Sequence, residues 1–289
     1  MAATDLTLRT RVAMLWPHRS RIVRDLVDVR AEPQSDSELV DQAHWGEHVR
    51  ALAAQGDWRY VQGEDMYLGW VQAGALREFS TYGRNAVVTV VLAPVNERPA
   101  PTAPLIGQLP AGTLIPETRY AVQGSSFLEG SQLVGGWLEV GIGEGGHERS
   151  GFLSALDVTP LAELPHRFPT GDDYLKTGEA FIGVPYLWGG TTALGIDCSG
   201  FVQQVYRLNG VALPRDADQQ AMLGRKVDEA RAGDLMFFGD QSVTHVALAT
   251  SAREFIHAPM KGGAVERGQL GGDRTLRVIR RYLPAEADR

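Results

Sequence analysis

The 289-residue sequence predicts an α+β protein in which two small β-barrels in tandem precede a mixed α+β domain. Three observations predict it. Two runs of short, alternating strands fill the first 160 residues, a helix-forming stretch opens at Cys198, and two later strand-like segments each carry a histidine, His245 and His257. The implied division is 1–81 for an N-terminal segment and the first barrel, 82–160 for the second barrel, 161–172 for a linker, and 173–289 for the mixed domain.

In chain order, Arg9, Arg11, Arg19, Arg21 and Arg24 make the start basic, which a solvated helix face explains. The longest early apolar run, Val12 to Trp16, is too short for a signal-peptide core, and no stretch reaches transmembrane length, so a cytoplasmic location is expected. The first barrel reads from Val27-Asp28-Val29-Arg30-Ala31-Glu32-Pro33 through Trp58-Arg59-Tyr60-Val61 to Gly69-Trp70-Val71 and Leu76. The second reads from Val87–Pro94 through Trp137-Leu138-Glu139-Val140 to Gly151-Phe152-Leu153 and Leu156. Alternation between Gly, Asp and Pro turns is the mark of a small barrel, with Trp58, Trp70 and Trp137 expected in the cores. Pro160, Pro165, Pro169 and Gly171 suit a surface linker.

Asp172 to Ile182 then reads as a helix that Gly183 and Pro185 end. A second helix opens at Cys198, with Phe201, Val202, Val205 and Leu208 on one face and Asn209-Gly210 as its C-cap. Val243–Ala249 and Glu254–Ala258 read as strands of a hairpin, and Arg231–Gly239 as a turn and strand extending the same sheet. A turn of about three residues puts His245 and His257 on one face, opposite or on a near diagonal.

Composition excludes several functions. A net charge of -7 argues against nucleic acid or an anionic membrane as partner and favours neutral or cationic small substrates. A single cysteine excludes an internal disulfide and any multi-thiolate zinc site, leaving an apolar filler, a redox-sensitive thiol or a nucleophile. No carboxylate or third histidine stands at ligand spacing from the two imidazoles, so no metal and no cofactor is expected.

Chemistry favours the nucleophile. A thiol in the first turn of a helix meets free N–H groups and the positive end of the dipole, which is expected to lower its pKa from about 8.5. Asp197 is placed as the N-cap, and His245 and His257 can serve as the base that takes the thiol proton and the group that holds that base in its useful tautomer.

Six ordered motifs resemble the NlpC/P60 family of papain-like cysteine peptidases across about residues 170–284. They are Tyr186-x-Trp188-Gly189-Gly190, Asp197-Cys198-Ser199-Gly200-Phe201-Val202, Leu213-Pro214-Arg215-Asp216, Gly233-Asp234-Leu235, Thr244-His245-Val246 and Phe255-Ile256-His257-Ala258. The resemblance implies Cys198 as nucleophile, His245 as general base, His257 as the orienting third member, and Tyr186 as the tyrosine beside the oxyanion. Residues 22–160, most recognisably Gly69-Trp70-Val71, resemble bacterial SH3-like domains.

SH3-like barrels ahead of such a domain are similar to the arrangement in γ-D-glutamyl-L-diamino acid endopeptidases, which cleave cell-wall peptides. That likeness implies a murein-derived substrate, L-Ala-γ-D-Glu-diamino acid, whose free alanine amine is held by Glu47, Tyr67 and Asp197. It also implies Ser199 against the D-glutamate α-carboxylate, with Arg215 and Asp216 either shaping that pocket or pairing with each other. Ala217 stands where some relatives carry a serine, removing one hydrogen bond to the acidic end of the substrate. The expected role is recycling of released peptides. The alternatives are a wall-bound endopeptidase tethered by its barrels and a non-catalytic binder of wall peptides.

Overall fold

The computed structural model describes residues 20–22, 26–78, 84–116, 136–142, 149–161, 164, 169–260, 263–271 and 274–283. Most of the basic start and residues 162–163 and 165–168 of the expected linker lie outside them. No described helix is long and apolar enough to cross a membrane.

The first unit is a run of seven antiparallel strands, β1 (Ser20–Ile22), β2 (Leu26–Arg30), β3 (Leu39–His44), β4 (His48–Gln55), β5 (Trp58–Gln62), β6 (Leu68–Gln72) and β7 (Leu76–Glu78). Their spatial order is β3-β2-β6-β5-β4-β1-β7. Small valines fill the interior, with Val27, Val29, Val49, Val61 and Val71 all buried. Side chains alternate along a strand, so with Val71 inward its neighbour Trp70 must face out, where it meets its cross-strand partner Tyr60 at 5.1 Å between ring centroids. Trp58 and Trp70 are therefore half-buried on the flank, contrary to the expectation that they form the core.

The second unit has β8 (Arg84–Val88), β9 (Leu92–Asn96), β10 (Leu105–Pro110), β11 (Leu114–Pro116), β12 (Trp137–Ile142), β13 (Arg149–Ser154) and β14 (Val158–Pro160). They form two small sheets, β10-β9-β13-β12 and β11-β8-β14. The stretch from Val87 to Pro94 does not run as one strand. Thr89 donates its N–H to Asp157 and Ala111 to Val91, turning the chain from one sheet to the other. Trp137 is half-buried beside buried Leu138, by the same alternation as Trp70. Trp45 of the first unit instead joins Val88, Val95, Leu109 and Leu153 in the second core, tying the units together.

In the C-terminal domain, Thr170 and Asp173 form a capping box at the start of α1 (Gly171–Ala180), and Gly183, at φ +92°, reverses the chain just beyond it. A short hairpin, β15 (Thr191–Thr192) and β16 (Gly195–Ile196), leads into α2 (Cys198–Leu208), which is followed by α3 (Ala217–Ala221). The last strands are β17 (Arg225–Val227), β18 (Leu235–Phe238), β19 (His245–Ala249), β20 (Glu254–His257), β21 (Glu266–Gln269) and β22 (Leu276–Arg281). They make an antiparallel sheet in the order β17-β22-β18-β19-β20-β21. Phe201, Val202 and Val205 of α2 pack on Val246, Leu248 and Ile256 of the sheet, which seats the N-terminus of α2 across from the histidine strands.

Strand β3 buries four residues in succession, Asp41, Gln42, Ala43 and His44. Three of them are polar. Their partners come from the C-terminal domain: His44 Nε2 meets Thr191 Oγ1 at 3.1 Å, and Thr191 N–H donates to Gln42 at 3.2 Å. The first barrel is thus one wall of the C-terminal domain.

Candidate active site

Cys198 is the first residue of α2, half-buried, and is the one free thiol. Asp197 caps the helix, accepting from the Gly200 N–H at 2.7 Å through Oδ1 and from the Gly189 N–H at 2.9 Å through Oδ2. Arg215 grips the same carboxylate with both terminal nitrogens, at 3.0 and 2.6 Å, and reaches Asp41 of the first barrel with Nε at 2.8 Å. Burial works against the guanidinium, but Asp197 and Asp41 outweigh it and hold Arg215 firmly charged. Ser199 completes this cluster, its hydroxyl 3.2 Å from Asp197 and 2.8 Å from Arg215.

The sheet supplies the imidazoles. Leu248 pairs with Ile256 and Ala249 with Phe255, so His245 lies on the diagonal from His257, on the same face. His245 Nε2 and His257 Nδ1 are 2.9 Å apart, with ring planes at 85°. That contact commits Nε2 of His245 and leaves its Nδ1 for the thiol. On the far side of His257, Glu266 Oε1 stands 3.7 Å from Nε2, and Arg274 approaches both ring nitrogens, at 3.4 and 3.5 Å. An acceptor at Nε2 favours the tautomer in which His257 Nδ1 accepts the His245 Nε2–H, making His245 Nδ1 the free lone pair.

The electrostatics depart from the expected activated thiolate. Burial and the Asp197 charge push the Cys198 thiol up to about 11, against N–H groups of Val246 and Ser199 and the charge of Arg215, which favour the thiolate. Burial lowers His245 to about 3, with His257 and Arg274 adding to the effect, and burial with Arg274 lowers His257 to about 4. Burial thus works against a thiolate–imidazolium pair, raising the thiol and lowering both imidazoles. The helix dipole is too weak to offset desolvation plus an adjacent carboxylate.

Tyr186, half-buried, is held by its N–H on the Gly263 carbonyl at 2.9 Å and by a bridge to Ile196. Burial and the nearby charges of Cys198 and Asp197 keep its hydroxyl protonated, a donor beside the sulfur. Neighbouring Trp188 donates to Glu38 of the first barrel at 2.8 Å.

A cavity between the first barrel and α2 is lined by Asp41, Glu47, Asp65, Tyr67, Gln203 and Arg207, over an apolar floor that includes Val29 and Val61. It lies alongside α2 rather than over Cys198. Tyr67 hydrogen-bonds Asp216 at the Arg215 end. Glu47 is ion-paired with Arg207 and accepts the His44 N–H at 3.1 Å. The structure thus gathers Asp197, Ser199 and Arg215 into one cluster, sets Tyr67 and Asp216 beside it, and pairs Glu47 with Arg207 in the cavity that Tyr67 also lines. Arg215 binds Asp197 and Asp41 directly and Asp216 bonds Tyr67, while Arg215 and Asp216 still feel each other's charge.

Asp41 escaped the sequence reading, although the polar run Asp41-Gln42-Ala43-His44 on a strand was its signal, since such a run can be buried only against another domain's polar groups. Among the described residues, no group of three or more His, Cys, Asp and Glu could hold a metal ion.

Comparisons with known proteins agree with this architecture. The profile of the NlpC/P60 family matches residues 183–280, and that of the bacterial dipeptidyl-peptidase SH3 domain matches residues 29–76. A gamma-D-glutamyl-L-lysine dipeptidyl-peptidase of Bacillus subtilis is 38% identical over 121 residues, 40% of each chain. Dipeptidyl-peptidase 6 of Lysinibacillus sphaericus is 29% identical over 259 residues, covering 86% of this chain and 90% of that one. The match thus spans two-fifths of the Bacillus subtilis relative and nearly all of the Lysinibacillus one. An NlpC/P60 family protein from Bacillus cereus superposes with a TM-score of 0.74 at 23% identity, over 92% of this chain and all of the other.

Proposed function

We propose that this chain, whose residues 183–280 match the NlpC/P60 family and residues 29–76 a bacterial dipeptidyl-peptidase SH3 domain, is a cysteine peptidase that hydrolyses the amide between γ-linked D-glutamate and a diamino acid in wall-derived peptides whose N-terminal L-alanine is free. The observation that carries the chemistry is the 2.9 Å contact of His245 with His257, on the sheet face opposite the helix that begins with Cys198. His245 Nδ1 takes the thiol proton as the sulfur attacks the γ-carbonyl carbon. The C–N bond then breaks, His245 returns that proton to the leaving amine, and water hydrolyses the thioester. Where burial favours the neutral pair, proton transfer accompanies attack. Tyr186 and the backbone N–H at Cys198 are the donors for the oxyanion.

Support for a free-amine substrate comes from the first barrel. Asp41, Glu47 and Tyr67 line the cavity and Tyr67 is hydrogen-bonded to Asp216, a set of acceptors and carboxylates that suits an ammonium and that a peptide still joined to glycan leaves unpaired. Arg215 and Ser199, tied together behind the nucleophile, are the polar groups nearest the D-glutamate α-carboxylate. A preference of this kind suits a role in the turnover of already released peptides in the cytoplasm.

Mass-spectrometric assay of L-Ala-γ-D-Glu-diamino acid peptides with free and acetylated alanine tests the reading. The free peptide should be cleaved at the γ-glutamyl bond and Cys198→Ser should abolish cleavage while retaining the fold. Equal rates on the acetylated peptide or on intact peptidoglycan would point instead to a wall-bound endopeptidase, and no cleavage of any substrate to a binding protein.

A further inference from the structure

The turn that joins β10 to β11, Ala111-Gly112-Thr113, belongs to the second barrel yet is seated in the junction of the other two units. Ala111 is buried in the core of the C-terminal domain with Phe201, Val205 and Leu208 of α2. Gly112 stands at φ +86°, and a Cβ there would come within 2.8 Å of Gln204 Oε1 on α2 and 3.2 Å of His44 Nδ1 on β3. Only glycine fits so close an approach in that conformation. The same barrel grips the turn between β3 and β4. Leu114 donates its N–H to the Trp45 carbonyl at 3.1 Å, the Trp45 side chain enters the second core, and a Cβ on Gly46 would meet the Leu114 carbonyl oxygen at 2.4 Å.

Arg207, in the last turn of α2, connects these contacts to the cavity. Its Nη2 donates to the Gly112 carbonyl at 3.3 Å, and its Nη1 pairs with Glu47, whose other oxygen accepts the His44 N–H at 3.1 Å. Glu47, Gln204 and Arg207 all line the cavity, while no described residue of the second barrel does. A helix C-terminus suits an arginine that stays in water. Arg207 is instead 14% exposed, and a buried ion pair gains little stability over apolar packing of the same junction. What the arrangement provides is a fixed geometry, with both oxygens of Glu47 and both terminal nitrogens of Arg207 held by backbone or by each other.

We propose that the second barrel is a positioning element for substrate binding: its Gly112 turn fixes Arg207 and Glu47, and so shapes the wall of the cavity that takes the N-terminal end of the peptide, without itself touching substrate. The inference rests on the peptidase reading above and gives the second barrel a part in it. Arg207 lies at the opposite end of α2 from Cys198. Loosening its grip therefore changes how well the peptide is held rather than how fast the bound peptide reacts.

The test uses the full chain with L-Ala-γ-D-Glu-L-Lys as probe, reading kcat and KM for cleavage and calorimetric binding to the same variants made on Cys198→Ala. Gly112→Ala, which forces the turn and the Gln204 amide apart, and Arg207→Met should each raise KM and the dissociation constant by roughly tenfold, the scale of one charge-assisted contact, with kcat changed by less than about threefold. Arg207→Lys should recover part of the loss. Gly151→Ala is the control: on β13 its Cβ would come within 2.4 Å of Val95 Cγ1, so it strains the second core without touching the turn. It should lower the melting temperature while KM and binding stay at the parent's values.

The proposal is overturned if Gly151→Ala weakens binding as much as Gly112→Ala, since the barrel then acts through stability alone, or if the losses fall on kcat with KM unchanged. It is overturned too if Arg207→Met binds the peptide as tightly as the parent, whatever becomes of Gly112→Ala. Weakened binding in the Gly112 and Arg207 variants of a chain that cleaves nothing would uphold the positioning role and sink the peptidase reading. A parent that neither binds nor cleaves the peptide would sink both.

Discussion

Arg215 and Asp41 are joined at 2.8 Å across the boundary between the first barrel and the C-terminal domain, 174 residues apart in the chain. The same guanidinium holds Asp197, the N-cap of the helix that presents Cys198, so the barrel is connected to the nucleophile through one buried side chain. Docking of the barrel and the position of the thiol are therefore one structural event.

Arg215→Met tests that link. Arg215 is 1% exposed, and its loss leaves two largely buried carboxylates without their counter-charge. Removing one partner of a buried ion pair costs about 3–5 kcal/mol, here with two acids affected. Urea denaturation should show a loss on that scale, and the double variant Arg215→Met with Asp41→Asn should recover part of it. Full additivity of the two changes would show that the pair is not coupled.

Thiol reactivity should report the neutral resting state. With Cys198 held up to about 11, alkylation by iodoacetamide should be slow near pH 6 and climb steadily above pH 9. A rate plateau reached by pH 5 would instead mark a preformed thiolate–imidazolium pair. His245→Ala should remove most turnover while leaving the alkylation profile close to that of the parent, because His245 is neutral across this range.

The histidine shift carries a signature in stability. His245 is lowered to about 3 in the folded protein, against about 6.5 unfolded, so below about pH 6.5 the unfolded chain binds the extra proton. Its contribution to stability is complete above that value and is lost as pH falls toward 3. Melting temperature should thus drop more steeply between pH 6.5 and 4 in the parent than in His245→Gln. Identical slopes would show that His245 titrates normally.

Much of this site was legible as spacing. A helix pattern beginning at Cys198 and two strands joined by a short turn suffice to bring the two imidazoles together, because helix and strand periods are local properties. The tryptophans of the barrels misled because alternation sets which residues share a face but not which face is inward, and Val71 and Leu138 hold the inward positions beside Trp70 and Trp137. The sign of the thiol shift was hidden for a different reason. A helix N-terminus is visible in sequence, but desolvation depends on how the barrel and sheet close around it. Arg274 and Glu266 were equally hidden, since only the register of β21 with β20 and the path into β22 bring them to His257.

Recognition of the alanine amine separates the residues implied by resemblance. Glu47 is tied to Arg207 and buried, so Glu47→Gln should lower stability through that ion pair and change free and acetylated peptides alike. Tyr67 and Asp216 are hydrogen-bonded to each other beside Arg215, half-exposed to the cavity side of the cleft. If the ammonium sits there, Asp216→Asn removes the charge it pairs with and should lower kcat/KM for the free peptide by roughly 30-fold or more, the cost of an unpaired charge in a partly desolvated site. The acetylated peptide, having no ammonium, should be nearly unaffected, so the ratio of the two rates narrows. Tyr67→Phe should narrow it less, by one neutral hydrogen bond. A ratio that stays fixed in Asp216→Asn and falls in Glu47→Gln would move the ammonium deeper into the cavity, next to Arg207, and would require Arg207 to release Glu47 when substrate binds.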